Sequence, residues 1–289
     1  MLLAIAVVVL VGAALEPPPA SRVDVAAALA SGDAHYEKRA EGAHGGTAHP
    51  AQVDAAIADY RWALSRDPSS YPARLGLLRA MFFRGGFSDM SAPDQIKLFD
   101  DAKRLADETV RRLEGDLKDT RLRAHRESLR REPLAAEIYL WAAVSWGQWA
   151  TTHKLAAAWQ GAAGQIRDLA QAVIDIEPRT MFGAGLLILG RLHAEAPRIP
   201  MVTPWVSREK ALLNLRRAVE IAPESSSNIY FLAEAILALQ PASRAEAQAL
   251  LERCRTAPPR PGFLVEDTHY AEEAEVLLEA LRPVVARKR

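Results

Sequence analysis

AAIADYRWALSRDP, residues 55–68, places Ala56, Tyr60 and Ala63 twelve, eight and five positions before Pro68. ALLNLRRAVEIAP, residues 211–223, repeats the spacing with Ala211, Leu215 and Ala218 before Pro223, and QIRDLAQAVIDIEP, residues 165–178, closes on Pro178 in the same manner. Steps of three and four residues each bring the chain about one turn round, so these small and apolar positions share one helical face. Small residues there let a partner helix approach closely. The proline stops the helix, because it has no N–H and biases the residue before it away from α geometry. The chain therefore reads as stacked helix pairs, an architecture that more often binds than catalyses.

Pro223 and Pro258 are 35 residues apart, close to the tetratricopeptide period of about 34. The expected fold is all-α, an α-α superhelix of degenerate tetratricopeptide-like repeats over residues 21–289. Val23 to Ala40 reads as the first helix, the Gly/His-rich EGAHGGTAHP as a loop, and Tyr71 to Arg84 as a helix ending at Gly85-Gly86. Ser91 and Asp94 suit a capped helix start, followed by an apolar stripe of Ile96, Phe99, Ala102, Ala106, Val110, Leu113 and Leu117. One continuous helix is expected from Leu134 to Ala158, with apolar residues all round it. Ala184 to Ala194 comes next, then the linker EAPRIPMVTPW and a helix from about Ser207. Further helices are expected over Asn228 to Leu239, from a capping box Ser243-Arg-Ala-Glu246, and over Tyr270 to Ala286. No alternating β-branched runs bounded by turns occur, so essentially no sheet is expected.

With 36 basic and 36 acidic residues the chain carries no net charge to attract a polyanion, so nucleic acid is not an expected partner. The stretch Lys103 to Arg131 is locally basic, ten Lys or Arg against six Asp or Glu, and reads either as a solvated helix face or as a binding insertion. Residues 1–20 differ from the rest: MLLAIAVVVLVGAAL has no charged side chain and precedes EPPPAS. This segment is expected to be a signal peptide or N-terminal anchor with a Pro-rich linker, so the domain is expected in the periplasm or otherwise exported. It contains no cysteine for lipid attachment, which leaves membrane tethering open.

Chemistry-bearing motifs do not assemble into an active site on this sequence, and no enzyme and no cofactor are expected. Gly183, Gly185 and Gly190 lack the spacing of a dinucleotide loop and suit close helix packing. His35, His44 and His49 straddle a loop without metal-ligand spacing, and Cys254 sits in an amphipathic run as a small buried hydrophobe. The aromatic cluster is the candidate site. Trp141, Trp146 and Trp149 crowd one helix face, and two readings are open: they fill core, or with Met181, Phe182 and Leu186 they line an apolar groove for a hydrophobic ligand.

From Tyr139 to about Leu251 the chain resembles the T-component family associated with tripartite ATP-independent periplasmic (TRAP) transporters. The resemblance lies in the order of YLWAAVSWGQWA, AVIDIEPRTMFGAGLLILGRLHAEAP and REKALLNLRRAVEIAPESSSNIYFLAEAIL, with HYEKRA and YRWALSRDP consistent with the family's first repeat. It implies a periplasmic helical-repeat protein forming a homo-oligomer, a trimer in the family, with apolar channels. It also implies docking to a periplasmic solute-binding protein and carriage of a hydrophobic small molecule or lipid. The chain departs from the family in lacking a lipobox cysteine and in reading RIPMVTPWVSR where a Gly-Asp-rich turn is usual. The alternative is a generic exported scaffold for protein–protein interaction with no small-molecule ligand.

Overall fold

The computed structural model describes residues 22–116 and 129–282. The segment 1–20, the positions from Leu117 to Ser128 and the expected end of the last helix at 283–286 lie outside the described residues. Helices follow in the order α1 (Arg22–Glu37), α2 (Pro50–Arg66), α3 (Tyr71–Phe87), α4 (Ala92–Asp116), α5 (Ala135–Thr152), α6 (Lys154–Trp159), α7 (Ala162–Ile176) and α8 (Thr180–Glu195). They continue with α9 (Arg208–Ile221), α10 (Ser226–Leu239), a 3-10 turn (Pro241–Ser243), α11 (Arg244–Thr256) and α12 (Leu264–Ala280). Among the described residues there is no strand, only isolated bridges at His44–Thr47 and Ala48–Ser88. Neighbours in sequence pack as antiparallel pairs, α1 with α2, α3 with α4, α5 with α7, α8 with α9 and α10 with α11, and α12 closes the array.

The proline-terminated segments explain the pairing. Before each proline the backbone leaves helical geometry, with Asp67 at φ −129°, ψ 86°, Glu177 at φ −152°, ψ 99° and Ala222 at φ −138°, ψ 79°. Each of these N–H groups still donates to the carbonyl four residues back, Ala63, Val173 and Ala218. All nine positions at minus twelve, eight and five are buried: Ala56, Tyr60, Ala63, Ile166, Ala170, Val173, Ala211, Leu215 and Ala218. Their partners are glycines. The Tyr60 ring lies where a Cβ on Gly32 of α1 would be 2.8 Å away and one on Gly76 of α3 2.5 Å away. A Cβ on Gly190 of α8 would sit 2.6 Å from Leu215, and one on Gly185 3.0 Å from Val173. Glycine on one helix and a small or wedge-like residue on the next thus set the close approach of the layers.

The superhelix closes on itself. Arg39, just after α1, donates to Glu266 of α12 at 2.8 Å and to the Gly262 carbonyl, across 227 residues of sequence in the first case. The Gly46 N–H donates to Glu272 at 3.1 Å, and a side chain at Gly46 would run into the His269 backbone at 2.4 Å. Phe87 at the end of α3 meets His269 edge-on at 5.3 Å. The last helix is therefore seated on the first two repeats. No helix among the described residues is long and apolar enough to cross a membrane.

Several local expectations need correction. The Leu134–Ala158 helix is broken at His153, which has φ −123° and ψ 47°. There the Thr152 hydroxyl donates to the Trp149 carbonyl at 3.1 Å, in competition with the helix's own ladder, and the His153 ring stacks on Trp149 at 5.0 Å. Gly85 and Gly86 do not stop α3, which runs on to Phe87; Gly85 is the gap into which the Phe99 ring fits. In α4 the stripe is rotated, with Leu98 buried and Ile96 exposed, while Phe99, Ala102, Ala106 and Leu113 are buried as expected. Ser91 does cap α4, accepting from the Asp94 N–H at 3.3 Å and donating to its carboxylate at 2.6 Å. Ser243 does not cap α11; a 3-10 turn precedes that helix, and Glu246 pairs with Arg216 at 2.5 Å instead. The last helix begins at Leu264, six residues before Tyr270, because Asp267 reaches back to the Arg260 N–H at 2.8 Å and fixes the preceding turn.

The linker between α8 and α9 is pinned by His193. Its Nδ1 accepts the Ser207 N–H at 3.2 Å, and its ring meets Trp205 at 5.4 Å. That bond needs the neutral ring. Burial, then the charges of Lys210 and Arg167, hold the His193 pKa below its ordinary value of 6.5. Below about 6.5 the unfolded chain therefore binds more protons than the folded one, and stability falls with pH until the depressed folded pKa is passed. Denaturant titrations between about pH 7.5 and 5 are expected to show this loss, and His193→Gln to reduce it.

Candidate functional site

Two helical stripes build the tryptophan cluster. On α4, Asp100, Lys103 and Asp107 lie three and four residues apart; on antiparallel α5, Trp146 and Trp149 and the C-capping His153 do the same. The stripes interlock. Trp146 Nε1 donates to Asp107 at 2.7 Å and Trp149 Nε1 to Asp100 at 2.9 Å. Lys103 bonds Asp107 at 3.1 Å and places its ammonium 3.8 Å from the centre of the Trp146 ring. The two indoles meet edge-to-face at 5.6 Å. These polar ends let large rings sit in the interior with their N–H groups satisfied.

Trp141, Trp146 and Trp149 are 6%, 7% and 5% exposed, so none is free surface. Their surroundings differ. Trp141 packs on Phe82 of α3 with ring centres 5.6 Å apart. Trp146 lines a cavity of about 590 Å³ between α4, α5 and α7, whose apolar wall includes Val110, Leu129, Ala142, Leu169 and Ile176. The rim carries Arg111, Glu114, Arg130, Asp168 and Asp175, and Tyr139 donates to Glu114 at 3.2 Å. Burial, then the Glu114 charge and hydrogen bond, raises the Tyr139 pKa, which keeps that phenol protonated. Trp149 lines a smaller cleft of about 320 Å³ that is mostly polar, with Asp100, Lys103, Arg104 and Gln160.

Met181, Phe182 and Leu186 have other neighbours. Met181 and Phe182 occupy left-handed backbone at φ 45° and 64°, followed by Gly183 at 77°, before the regular part of α8 begins at Ala184. Left-handed geometry is unfavourable for the first two. Asn228 of α10, itself buried, donates to the carbonyls of Phe182 and Ala218 at 3.0 Å each and holds this turn in place. The Phe182 ring meets Phe263 at 5.3 Å and lies under Arg260 at 4.7 Å. Leu186 is fully buried. The 590 Å³ cavity thus draws on Trp146 from the expected set and on residues of α4 and α7 that the sequence did not single out.

Of the remaining reactive groups, His44 alone among those singled out in the sequence is neither engaged through its side chain nor enclosed. His35 bonds Asp59 at 2.9 Å and His49 caps α2, while His44 is exposed. Among the described residues no cluster of three His, Cys, Asp or Glu converges to hold a metal ion. Cys254 is buried with its thiol 3.5 Å from the Ser226 and Tyr270 carbonyls; burial, then the Asp267 charge, pushes its pKa up to about 12. A thiol-reactive disulfide reagent at about pH 8 is expected to leave the native protein unlabelled and to label one thiol on unfolding. In the locally basic stretch, Arg104 pairs with Asp101 at 2.7 Å and Arg130 donates to the Asp175 carbonyl at 2.8 Å; the cations between 117 and 128 lie outside the described residues.

No protein-family model and no curated protein matches the chain. Among solved structures, the TPR2AB-domain:pHSP90-complex of yeast Sti1 aligns over 90% of this chain and 98% of that chain, at 15% sequence identity and a TM-score of 0.31. At that similarity the assignment of an all-α helical-repeat superhelix rests on the helix pairs, proline stops and glycine contacts described above.

Proposed function

We propose that this chain is a helical-repeat scaffold that binds and does not catalyse, and that the cavity between α4, α5 and α7 receives an apolar group from a partner protein. The observation that carries the reading is the cavity itself: about 590 Å³, with Trp146, Leu169 and Ile176 on its walls and charged side chains at its rim. An apolar interior with a polar edge is the usual build of a site that holds a hydrophobic anchor.

A second reading has specific support in the ordered resemblance from Tyr139 to Leu251. On that reading the occupant is a lipid or similar apolar molecule, the protein is exported, and its partner is the solute-binding protein of a TRAP transporter. Trp141, Trp149, Met181, Phe182 and Leu186 then act by shaping the helices around the cavity, and Trp146 by contact.

One experiment addresses both. Protein stripped of bound lipid is titrated with a fluorescent fatty acid, alongside Ala172→Phe, which fills the cavity from the half-buried wall of α7. Saturable binding lost in that variant supports an apolar site, and lipid carried through purification of the untreated protein favours the transport reading. Absence of binding to both proteins counts against the lipid reading. If, in addition, Ala172→Phe leaves capture of an identified partner unchanged, the cavity is not the docking site.

A further inference from the structure

Of the ten large apolar side chains exposed among the described residues, five come from two short segments: Leu155 and Trp159 on α6, and Ile199, Met201 and Val202 in the linker between α8 and α9. Trp159 is 90% exposed and Met201 97%. α6 leads into α7 at Ala162, and the linker folds back over the same end of α7, where Arg167 lies 4.8 Å over the Trp205 ring. Both segments therefore belong to one edge of the array. They carry Lys154, Arg198, Arg208 and Lys210 against one carboxylate, Glu209, over residues 154–161 and 196–210 of a chain that is neutral as a whole. All four cations are exposed, and among the described residues none of their side chains makes an ion pair or hydrogen bond. Glu209 accepts the Ser207 hydroxyl at 2.6 Å, and the nearby Asp168 and Glu195 are paired with Arg167 and Arg191.

The linker is a built turn. The Thr203 hydroxyl donates to the Pro197 carbonyl at 2.5 Å and accepts the Ile199 N–H at 2.9 Å, while the Val202 and Thr203 N–H groups donate to the Ile199 carbonyl at 3.2 and 2.8 Å. Pro197, Pro200 and Pro204 have no N–H to satisfy. Few backbone donors would thus lose water if the tip of this loop entered a less polar medium. Met201 at that tip has left-handed backbone, φ 67°, a geometry that favours glycine. Its side chain packs on almost nothing, so the fold gets no contact in return for the strain. Such a position points to a contact made outside the folded chain.

We infer that this edge docks the protein on a lipid surface with anionic headgroups, Trp159 and Met201 entering the interface and Lys154, Arg198, Arg208 and Lys210 meeting the phosphates. Two observations favour lipid over a protein partner. The apolar side chains stand out singly, and neither the 590 Å³ cavity nor the 320 Å³ cleft includes any of them, so there is no groove for a partner's side chain to fill. A fluid bilayer needs none. Four free cations around exposed Trp and Met also match the make-up of segments that lie in a membrane interface, where headgroup charge attracts Lys and Arg and the indole sits between water and acyl chains. The contact is peripheral and needs no spanning helix. It goes beyond the cavity reading and does not depend on what the cavity holds.

The test is sedimentation of the full chain with vesicles of phosphatidylcholine, with and without phosphatidylglycerol, together with tryptophan quenching by brominated acyl chains. Residues 1–20 contain no tryptophan, so insertion of that segment cannot itself be quenched. Binding is expected to favour the phosphatidylglycerol vesicles, with quenching that disappears in Trp159→Phe. The double variant Lys154→Gln with Arg198→Gln is expected to bind about 25-fold more weakly, about fivefold for each cation, with added salt acting in the same direction. Met201→Gly relieves the left-handed backbone, so it is expected to unfold at no lower urea concentration than the parent and yet to bind vesicles more weakly. A purely structural role would not separate those two readouts. No binding to phosphatidylglycerol vesicles, equal binding to phosphatidylcholine alone, quenching that persists in Trp159→Phe, or binding unchanged in the other variants would overturn the inference. So would loss of capture of an identified protein in these variants without vesicle binding by the parent, which would make the edge a protein interface. Ala172→Phe, in the 590 Å³ cavity, is expected to leave vesicle binding unchanged, so this result and that for the apolar site are separable.

Discussion

Truncating Trp141 to alanine is expected to lower folding stability by about 3–5 kcal/mol, the range for removing a large aromatic side chain from a closed core. Trp141 is 6% exposed and faces Phe82 of α3, and neither the 590 Å³ cavity nor the 320 Å³ cleft includes it in its lining. The void left behind therefore has protein on all sides, and the lost contacts join the second repeat to the third. Urea denaturation followed by far-UV circular dichroism measures the change as a drop in midpoint at constant slope. Trp149→Ala is expected to lose less, because its indole N–H is bonded to the half-exposed Asp100 and its ring borders a polar cleft that water can enter. Equal losses at the two sites would contradict the distinction between interior and cleft wall.

Replacing Asp267 with alanine is expected to be about as damaging, again about 3–5 kcal/mol, because it strands a buried charge. The Asp267 side chain is 2% exposed, and both its oxygens are used: one accepts Arg260 Nη2 at 2.8 Å, the other accepts Arg260 Nε at 2.9 Å and the Arg260 backbone N–H at 2.8 Å. Arg260 in turn covers the rings of Phe182 and Phe263 at 4.7 and 4.6 Å. Without the carboxylate, the guanidinium has aromatic faces around it and no anion. The pair also sets where α12 begins, so the effect is expected to reach the contacts of that helix with the first repeat. The double variant Asp267→Ala with Arg260→Met, which removes both charges, is expected to recover part of the loss. A single variant within about 1 kcal/mol of the parent would show that the pair is not enclosed.

The parts of this molecule legible in sequence are those whose cause is local. Ala56, Tyr60, Ala63 and Pro68 carry their helix face and their stop within fourteen residues, and all three copies of the pattern are buried as that spacing requires. The glycines of α8 could be assigned to close packing, but their partners Val173 and Leu215 come from neighbouring helices. Breaks set by side-chain competition were misread: Thr152 and His153 have no strong helix-stopping character, yet together they end α5. The candidate cavity was legible only through Trp146. Its other walls come from three helices and depend on the rotation of α4, where Leu98 took the buried place expected of Ile96. Closure of the superhelix leaves no pattern at all, since Arg39 and Glu266 are ordinary charged residues until the curvature of the whole array brings them together.

Closure seats the last helix on the first repeats, so it is the claim on which the architecture depends. A double-mutant cycle on Arg39→Ala and Glu266→Ala tests it directly. The two side chains are 9% and 14% exposed and 2.8 Å apart, and a partly buried charged pair of this kind is expected to show a coupling of about 1–3 kcal/mol. Stability changes that add within about 0.5 kcal/mol would mean that α12 is not docked on the first repeat, and would contradict a superhelix closed on itself.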